Sequence, residues 1–226
     1  MNMPSEPKGV SGIDGPVSTY LNRPFSRRIS GAVARLPISA DQWSWTSFVA
    51  VCTGACALAA GRSRTGGLLI HIGSVLDGVD GEVARLQGTA GPAGALLDLV
   101  LDRVSDVAVV AGLAVGAGAR RTDWMLALAA ANGLLVSGII KERIGAEHES
   151  VSGLQEIESG RARIDALLPW TGRDGRLLAA ALAGIAGVPR IGLVWLAVTT
   201  NIRLCRRAAA ALAILRQQAR RGPTHS

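Results

Sequence analysis

Residues 74–106 read SVLDGVDGEVARLQGTAGPAGALLDLVLDRVSD. Two largely apolar stretches flank the small, polar segment QGTAGPAG, whose glycines and proline predict a turn. Asp77 and Asp80 are three positions apart and share one helical face. Asp98 and Asp102 are four apart and share another, which Asp106 continues. Two antiparallel helices joined at this turn bring the two acidic faces together. Four carboxylates then converge at one end of a helical bundle.

The surrounding chain is apolar enough for lipid. Of 226 residues, 49% are hydrophobic, and the mean hydropathy is +0.31. That excludes an intrinsically disordered chain, which needs low apolar content. Charged residues make up 18%, which is high for a membrane bundle, so the charges need a specific place. Helical apolar stretches are expected at 42–61, 66–86, 93–118, 123–140, 175–188 and 190–214. Residues 42–61 suffice for about 30 Å, one hydrocarbon core. Only the first stretch and the uncharged part of the fourth, Trp124–Ile140, are expected to pass a strict hydropathy test alone. The fold expected is all-α, a membrane bundle of six transmembrane helices.

Charge distribution checks this count independently. Six spans place 62–65, 119–123 and 189–190 on one side of the membrane. Those loops carry Arg62, Arg64, Arg120, Arg121 and Arg190, five of the 24 Lys and Arg. Most of the rest lie on the other side, which the positive-inside rule makes cytoplasmic, together with both termini. Ahead of the first span, Leu21, Phe25, Ile29, Val33 and Leu36 recur at helical spacing among Arg23, Arg27, Arg28 and Arg35. This is the pattern of an interfacial amphipathic helix, over 16–40, on an anionic leaflet. Residues 1–15 and 217–226 are expected to be disordered tails of one membrane domain, 16–216. Residues 145–172 form the longest polar connection, expected as a cytoplasmic loop with a short helix. Cys52, Cys56 and Cys205 show no metal-type spacing and read as buried free thiols. The net charge of +7 is spread over several cytoplasmic ends, without stacking aromatics, which argues against nucleic acid.

Ionisable residues within spans are costly and mark function by default. Four uncompensated carboxylates repel strongly, and divalent cations remove the conflict. Ligands offering only oxygen favour Mg²⁺, Mn²⁺ or Ca²⁺ over zinc. A carboxylate-bound metal pair suits phosphoryl-group chemistry. Gly78, Gly81, Gly88, Gly91 and Gly94 allow a ligand close to the backbone, and Arg85 can pair with phosphate.

These residues resemble a family signature. Asp77-x-x-Asp80-Gly81-x-x-Ala84-Arg85, then eight residues, then Gly94-x-x-x-Asp98-x-x-x-Asp102 is similar to that of the CDP-alcohol phosphotransferases, at every fixed position and spacing. The resemblance implies an integral-membrane enzyme, a homodimer in many relatives, with both termini and the active site cytoplasmic. It implies that Asp77, Asp80, Asp98 and Asp102 hold a Mg²⁺ or Mn²⁺ pair on the pyrophosphate of a CDP-linked donor. Asp77, Gly81, Ala84, Arg85 and Gly94 would line the cytidine nucleotide. Asp102 would also act as general base on the acceptor hydroxyl, which attacks the β-phosphorus and expels CMP. CDP-diacylglycerol is the favoured donor, with a polar, phosphorylated alcohol such as inositol phosphate or glycerol phosphate as acceptor.

Lys141 and Arg143 stand where relatives with phosphorylated acceptors carry a Lys-x-Arg pair. Arg161, Arg163 and Arg203 fall on the same side and are candidates to complete an anion pocket. The segment LDGVDGEVARL and the later Gly172-Arg173-Asp174 also resemble the di-inositol-phosphate phosphate synthase branch, which uses CDP-inositol and inositol phosphate. Two readings of other kinds compete: an intramembrane salt-bridge network and an ion-coupled transporter. With Arg85 and Arg103 as its cations, the network leaves five acids against two partners. A transporter has no need of a nucleotide cradle. Asp106, outside the signature, reads as a pairing residue. One departure stands out: residues 37–42, PISADQ, replace the Thr-Pro-Asn segment common before the first span.

Overall fold

The computed structural model describes residues 38–148 and 172–221. These form six helices: α1 (Ala40–Ala59), α2 (Ser63–Gln87), α3 (Pro92–Gly116), α4 (Arg121–His148), α5 (Arg173–Ile185) and α6 (Pro189–Arg221). There is no strand among the described residues. The expected interfacial helix at 16–40 lies, up to residue 37, outside them. So does nearly all of the polar connection before α5.

The local chemistry sets the helix ends. Ser39 opens α1 with a capping box: its Oγ accepts from the Gln42 backbone N–H at 3.3 Å, and Gln42 Oε1 accepts from the Ser39 N–H at 2.9 Å. The PISADQ departure is therefore a helix start of a different kind. It also touches the site region, because Gln87 Nε2 donates to the Ile38 carbonyl at 3.0 Å. The QGTAGPAG segment forms the expected turn. Gly88 ends α2 in the left-handed region (φ 67°), and Pro92 starts α3 at its first turn.

α1 packs against both α2 and α3, α5 against α2, and α6 against α4. The consecutive α2 and α3 are linked more through α1 than along each other. Small residues permit the close crossings. A Cβ on Gly54 of α1 would stand 2.8 Å from the Gly66 carbonyl oxygen of α2. A Cβ on Gly67 of α2 would collide with the Ala181 carbonyl of α5, and one on Gly184 would lie 3.0 Å from the Gly67 Cα. The buried core joins Val51, Leu58, Ile70, Val109, Leu113, Leu177 and Leu193.

Three boundaries differ from expectation. α4 continues to His148, past residue 140, so Lys141 and Arg143 extend the helix. α6 continues to Arg221, so 217–221 are helical and not part of a disordered tail. α5 has 13 residues, about 20 Å, shorter than a hydrocarbon core. Among the described residues one stretch, Arg121–Ile140, is long and apolar enough to cross a membrane by composition. The first helix falls short of that test, against expectation, because Gln42, Ser44, Thr46 and Ser47 make its first half polar. Outward faces nonetheless carry large apolar side chains, including Leu68, Ile72, Val100, Val104, Leu128 and Ile139. Cys56 and Cys205 are exposed on such faces, not buried, and Cys52 is half-buried; all three are free.

Candidate active site

Two helices supply the acids of the site. Asp77 comes from α2, Asp98 and Asp102 from α3, one turn apart. A carboxylate oxygen from each lies within 4.8 Å of the other two, and all three residues are half-buried. The two acidic faces thus meet across the space between α2 and α3. Asp80 takes a different direction. Its Oδ2 accepts from Ser44 Oγ of α1 at 2.5 Å, and its Oδ1 from the Gly81 N–H at 2.5 Å. Buried on the α1 side, it borders the triad without belonging to the three-carboxylate group.

The sequence reading missed the cations that face these acids. Arg173, the first residue of α5, donates through Nη1 to Asp77 Oδ2. Its Nη2 lies 2.7 Å from Asp102 Oδ1 and 3.3 Å from Ser105 Oγ, and its Nε 3.8 Å from Asp106 Oδ1. One turn on, Arg176 Nη2 pairs with Asp106 Oδ2 at 3.1 Å, with Arg103 Nη1 at 3.9 Å from the same oxygen. Asp106 is a pairing residue, buried among three guanidinium groups. The count of two cations against five acids was incomplete, because Arg173 and Arg176 arrive from a helix some 70 residues further on. A signal was available: two arginines at i and i+3 open an apolar helix, where the helix dipole disfavours cations. Such a pair needs acidic partners.

Asp98 and Asp102 of the triad border a cleft of about 320 Å³ between α3, α4, α5 and α6. Asp98 and Asp102 form one wall, and Arg173, Arg176, Arg203 and Arg207 others. Arg207 also donates to the Ser137 carbonyl at 2.9 Å. Glu142 and Ser137 line the same space. Of the expected acceptor residues, Arg203 lies in this cleft. Arg161 and Arg163 lie outside the described residues, as do the side chains of Lys141 and Arg143. The small residues of the signature leave room. A Cβ on Gly81 would meet only Arg85, at 3.6 Å, and one on Gly94 only the Asp41 carboxylate, at 3.6 Å. Ala84 is half-buried and Arg85 exposed beside them.

A family model described as CDP-alcohol phosphatidyltransferase matches residues 38–153, which include all four aspartates of the signature. The chain belongs to the CDP-alcohol phosphatidyltransferase family. It is an enzyme of that transferase class, which sets the transporter alternative aside. A bifunctional IPC transferase and DIPP synthase of Rubrobacter xylanophilus is 39% identical over 89% of this chain. The chain spans 43% of that relative's length. An archaetidylinositol phosphate synthase of Methanothermobacter thermautotrophicus is 29% identical over 76% of this chain and 92% of its own. Among solved structures, the Mycobacterium tuberculosis phosphatidylinositol phosphate synthase with CDP-DAG bound shares the fold. It has TM-score 0.63 and 22% identity, over 83% of this chain and 94% of that one. A structure of the same enzyme in complex with manganese and citrate has TM-score 0.60 and 23% identity, over 83% and 88%.

Proposed function

We propose that this chain moves a substituted phosphate from a CDP-linked donor onto a hydroxyl of inositol phosphate and releases CMP. One observation carries the reading: two carboxylates of the triad, Asp98 and Asp102, line a cleft together with five arginines. A phosphorylated polyol seated by its phosphate among Arg173, Arg176, Arg203 and Arg207 can present a hydroxyl to Asp102. Guanidinium groups suit that role because they bind phosphate oxygens in pairs.

The donor set fits a divalent metal. Asp77, Asp98 and Asp102 offer oxygen alone, and their grouped charge already draws the Arg173 cation. They would hold Mg²⁺ or Mn²⁺, with Asp80 as the fourth ligand of a pair. When bound, such a pair polarises phosphate oxygens and offsets charge that develops on them. The chain's own residues do the rest. Gly81, Ala84 and Gly94 leave space for the cytidine nucleotide, with Asp77 and Arg85 at its phosphates. Asp102 accepts the acceptor hydroxyl proton as the oxygen attacks the β-phosphorus. The arginines keep the acceptor phosphate in place and turned toward the triad.

Two donors are compatible with this scheme. The 39% relative, a DIPP synthase by name, supports CDP-inositol, and that donor is placed first. CDP-diacylglycerol, favoured from the sequence, has the fold neighbour with CDP-DAG bound behind it. Both readings share inositol phosphate as acceptor.

The membrane reading belongs to the same proposal. The exposed apolar belt, with Trp45 at one end of α1, suits lipid, and the basic ends suit a cytoplasmic site on six spans. Short α5 begins at the depth of the aspartates, where the polar cleft admits its charged end. An interfacial helix over 16–40 and a homodimer in the cell membrane complete the picture.

Purified protein with Mn²⁺ or Mg²⁺, CDP-inositol or CDP-diacylglycerol, and inositol, inositol phosphate, glycerol phosphate or serine tests all of this by CMP release. Release is expected with inositol phosphate and not with inositol. No CMP with any combination refutes the assignment.

A further inference from the structure

Arg173 occupies two of the three carboxylates that a metal would use. Its two terminal nitrogens reach Asp77 Oδ2 and Asp102 Oδ1, two corners of the triad. Its third nitrogen faces Asp106, and its side chain is only 16% exposed. A guanidinium on these carboxylates takes up acceptor positions that a divalent ion needs and sets a positive charge beside it, so the two compete for the triad. Arg173 also borders the cleft that holds Arg176, Arg203 and Arg207. That cleft carries five arginines against Asp98, Asp102 and Glu142, so Arg173 stays on the triad acids until a further anion arrives.

We propose that Arg173 is an exchangeable counter-charge that couples metal loading to binding of the phosphorylated acceptor. Without metal, it neutralises Asp77 and Asp102 and keeps the two acidic faces together. When a phosphate enters the cleft, Arg173 turns to it and frees the triad for the metal. The two bindings therefore favour each other, by the same factor in either direction. Arg173 is a positioning residue here. This inference rests on the metal and acceptor assignments made above, and its consequence is that full metal loading waits for the acceptor.

The test is Mn²⁺ binding to the full chain in detergent, by electron paramagnetic resonance, with and without inositol phosphate. Wild type, Arg173→Gln and Arg173→Lys are compared, with melting curves in EDTA and in Mn²⁺. For wild type, inositol phosphate is expected to tighten Mn²⁺ binding by about 10-fold, within the usual range of coupling between sites. Arg173→Gln is expected to bind Mn²⁺ about 10-fold tighter than wild type without the acceptor, and to lose the coupling. It is also expected to melt lower in EDTA and to regain wild-type stability in Mn²⁺. Arg173→Lys, which keeps the charge without the fork, falls between. A residue that only binds phosphate would leave Mn²⁺ affinity unchanged in the absence of acceptor. Equal Mn²⁺ affinity of wild type and Arg173→Gln without acceptor overturns this inference and leaves the metal site standing. No Mn²⁺ binding by either protein, with or without acceptor, overturns the metal site as well.

Discussion

Replacing Asp106 with Asn probes the charge arrangement behind the triad. The Asp106 side chain is 3% exposed and faces Arg176 at 3.1 Å, Arg173 at 3.8 Å and Arg103 at 3.9 Å. Asn keeps the shape and removes the charge, while the Arg176 side chain stays 10% exposed. Losing one member of a buried ion pair costs about 3–5 kcal/mol, because the remaining charge stays desolvated. For a chain of this size that corresponds to a fall of about 6–20 °C in Tm. Removing both charges, as Asp106→Leu with Arg176→Met, is expected to regain most of the loss, since an apolar pair is often neutral. The cycle should return a coupling of about 2–3 kcal/mol, in the range of contacting residues. Thermal unfolding in detergent, followed by tryptophan fluorescence, measures Asp106→Asn and the four proteins of the cycle, namely wild type, Asp106→Leu, Arg176→Met and the double variant. A Tm for Asp106→Asn within about 2 °C of wild type, or strictly additive changes, would refute the view that this pair is a buried, mutually dependent unit.

Two further substitutions separate chemistry from packing. Asp102→Asn should fold but release CMP at least about 10²-fold more slowly, the scale of general-base catalysis; retained turnover would refute its role. Gly67→Leu should destabilise by about 3 kcal/mol or more, because its side chain would meet the Ala181 carbonyl and stand 2.7 Å from the Ile185 nitrogen. It should also lower CMP release by pushing α5, and with it Arg173, off the triad; an unchanged melting curve would contradict the close α2–α5 crossing.

Much of this site was readable from spacing alone. Asp77, Asp98 and Asp102 follow helical periodicity on either side of a glycine-rich turn, so their faces meet once the turn forms. The turn itself was encoded by Gly88 and Pro92. What the periodicity could not supply was direction about the helix axis. Asp80 shares a face with Asp77, yet its carboxylate goes to Ser44, a polar residue of α1 with no mark in the sequence. Arg173 and Arg176 were out of reach for another reason. Their partners lie some 70 to 100 residues away, and the pairing depends on how α5 docks through Gly67 and Gly184. The short α5 also hid its own ends, because hydropathy alone does not show where a polar cleft replaces lipid.

CMP formation from the CDP-linked donor and inositol phosphate, by wild type and Asp98→Asn, with Mn²⁺ and after EDTA, tests the central claim most directly. Asp98 belongs to the triad and has no assigned part in proton transfer. Wild type should form CMP only with the metal and recover when it is restored, and Asp98→Asn should be slower by at least about 10²-fold at equal metal, as expected when a charge-stabilising group is lost. CMP formation that survives EDTA, or Asp98→Asn turning over like wild type, would contradict it.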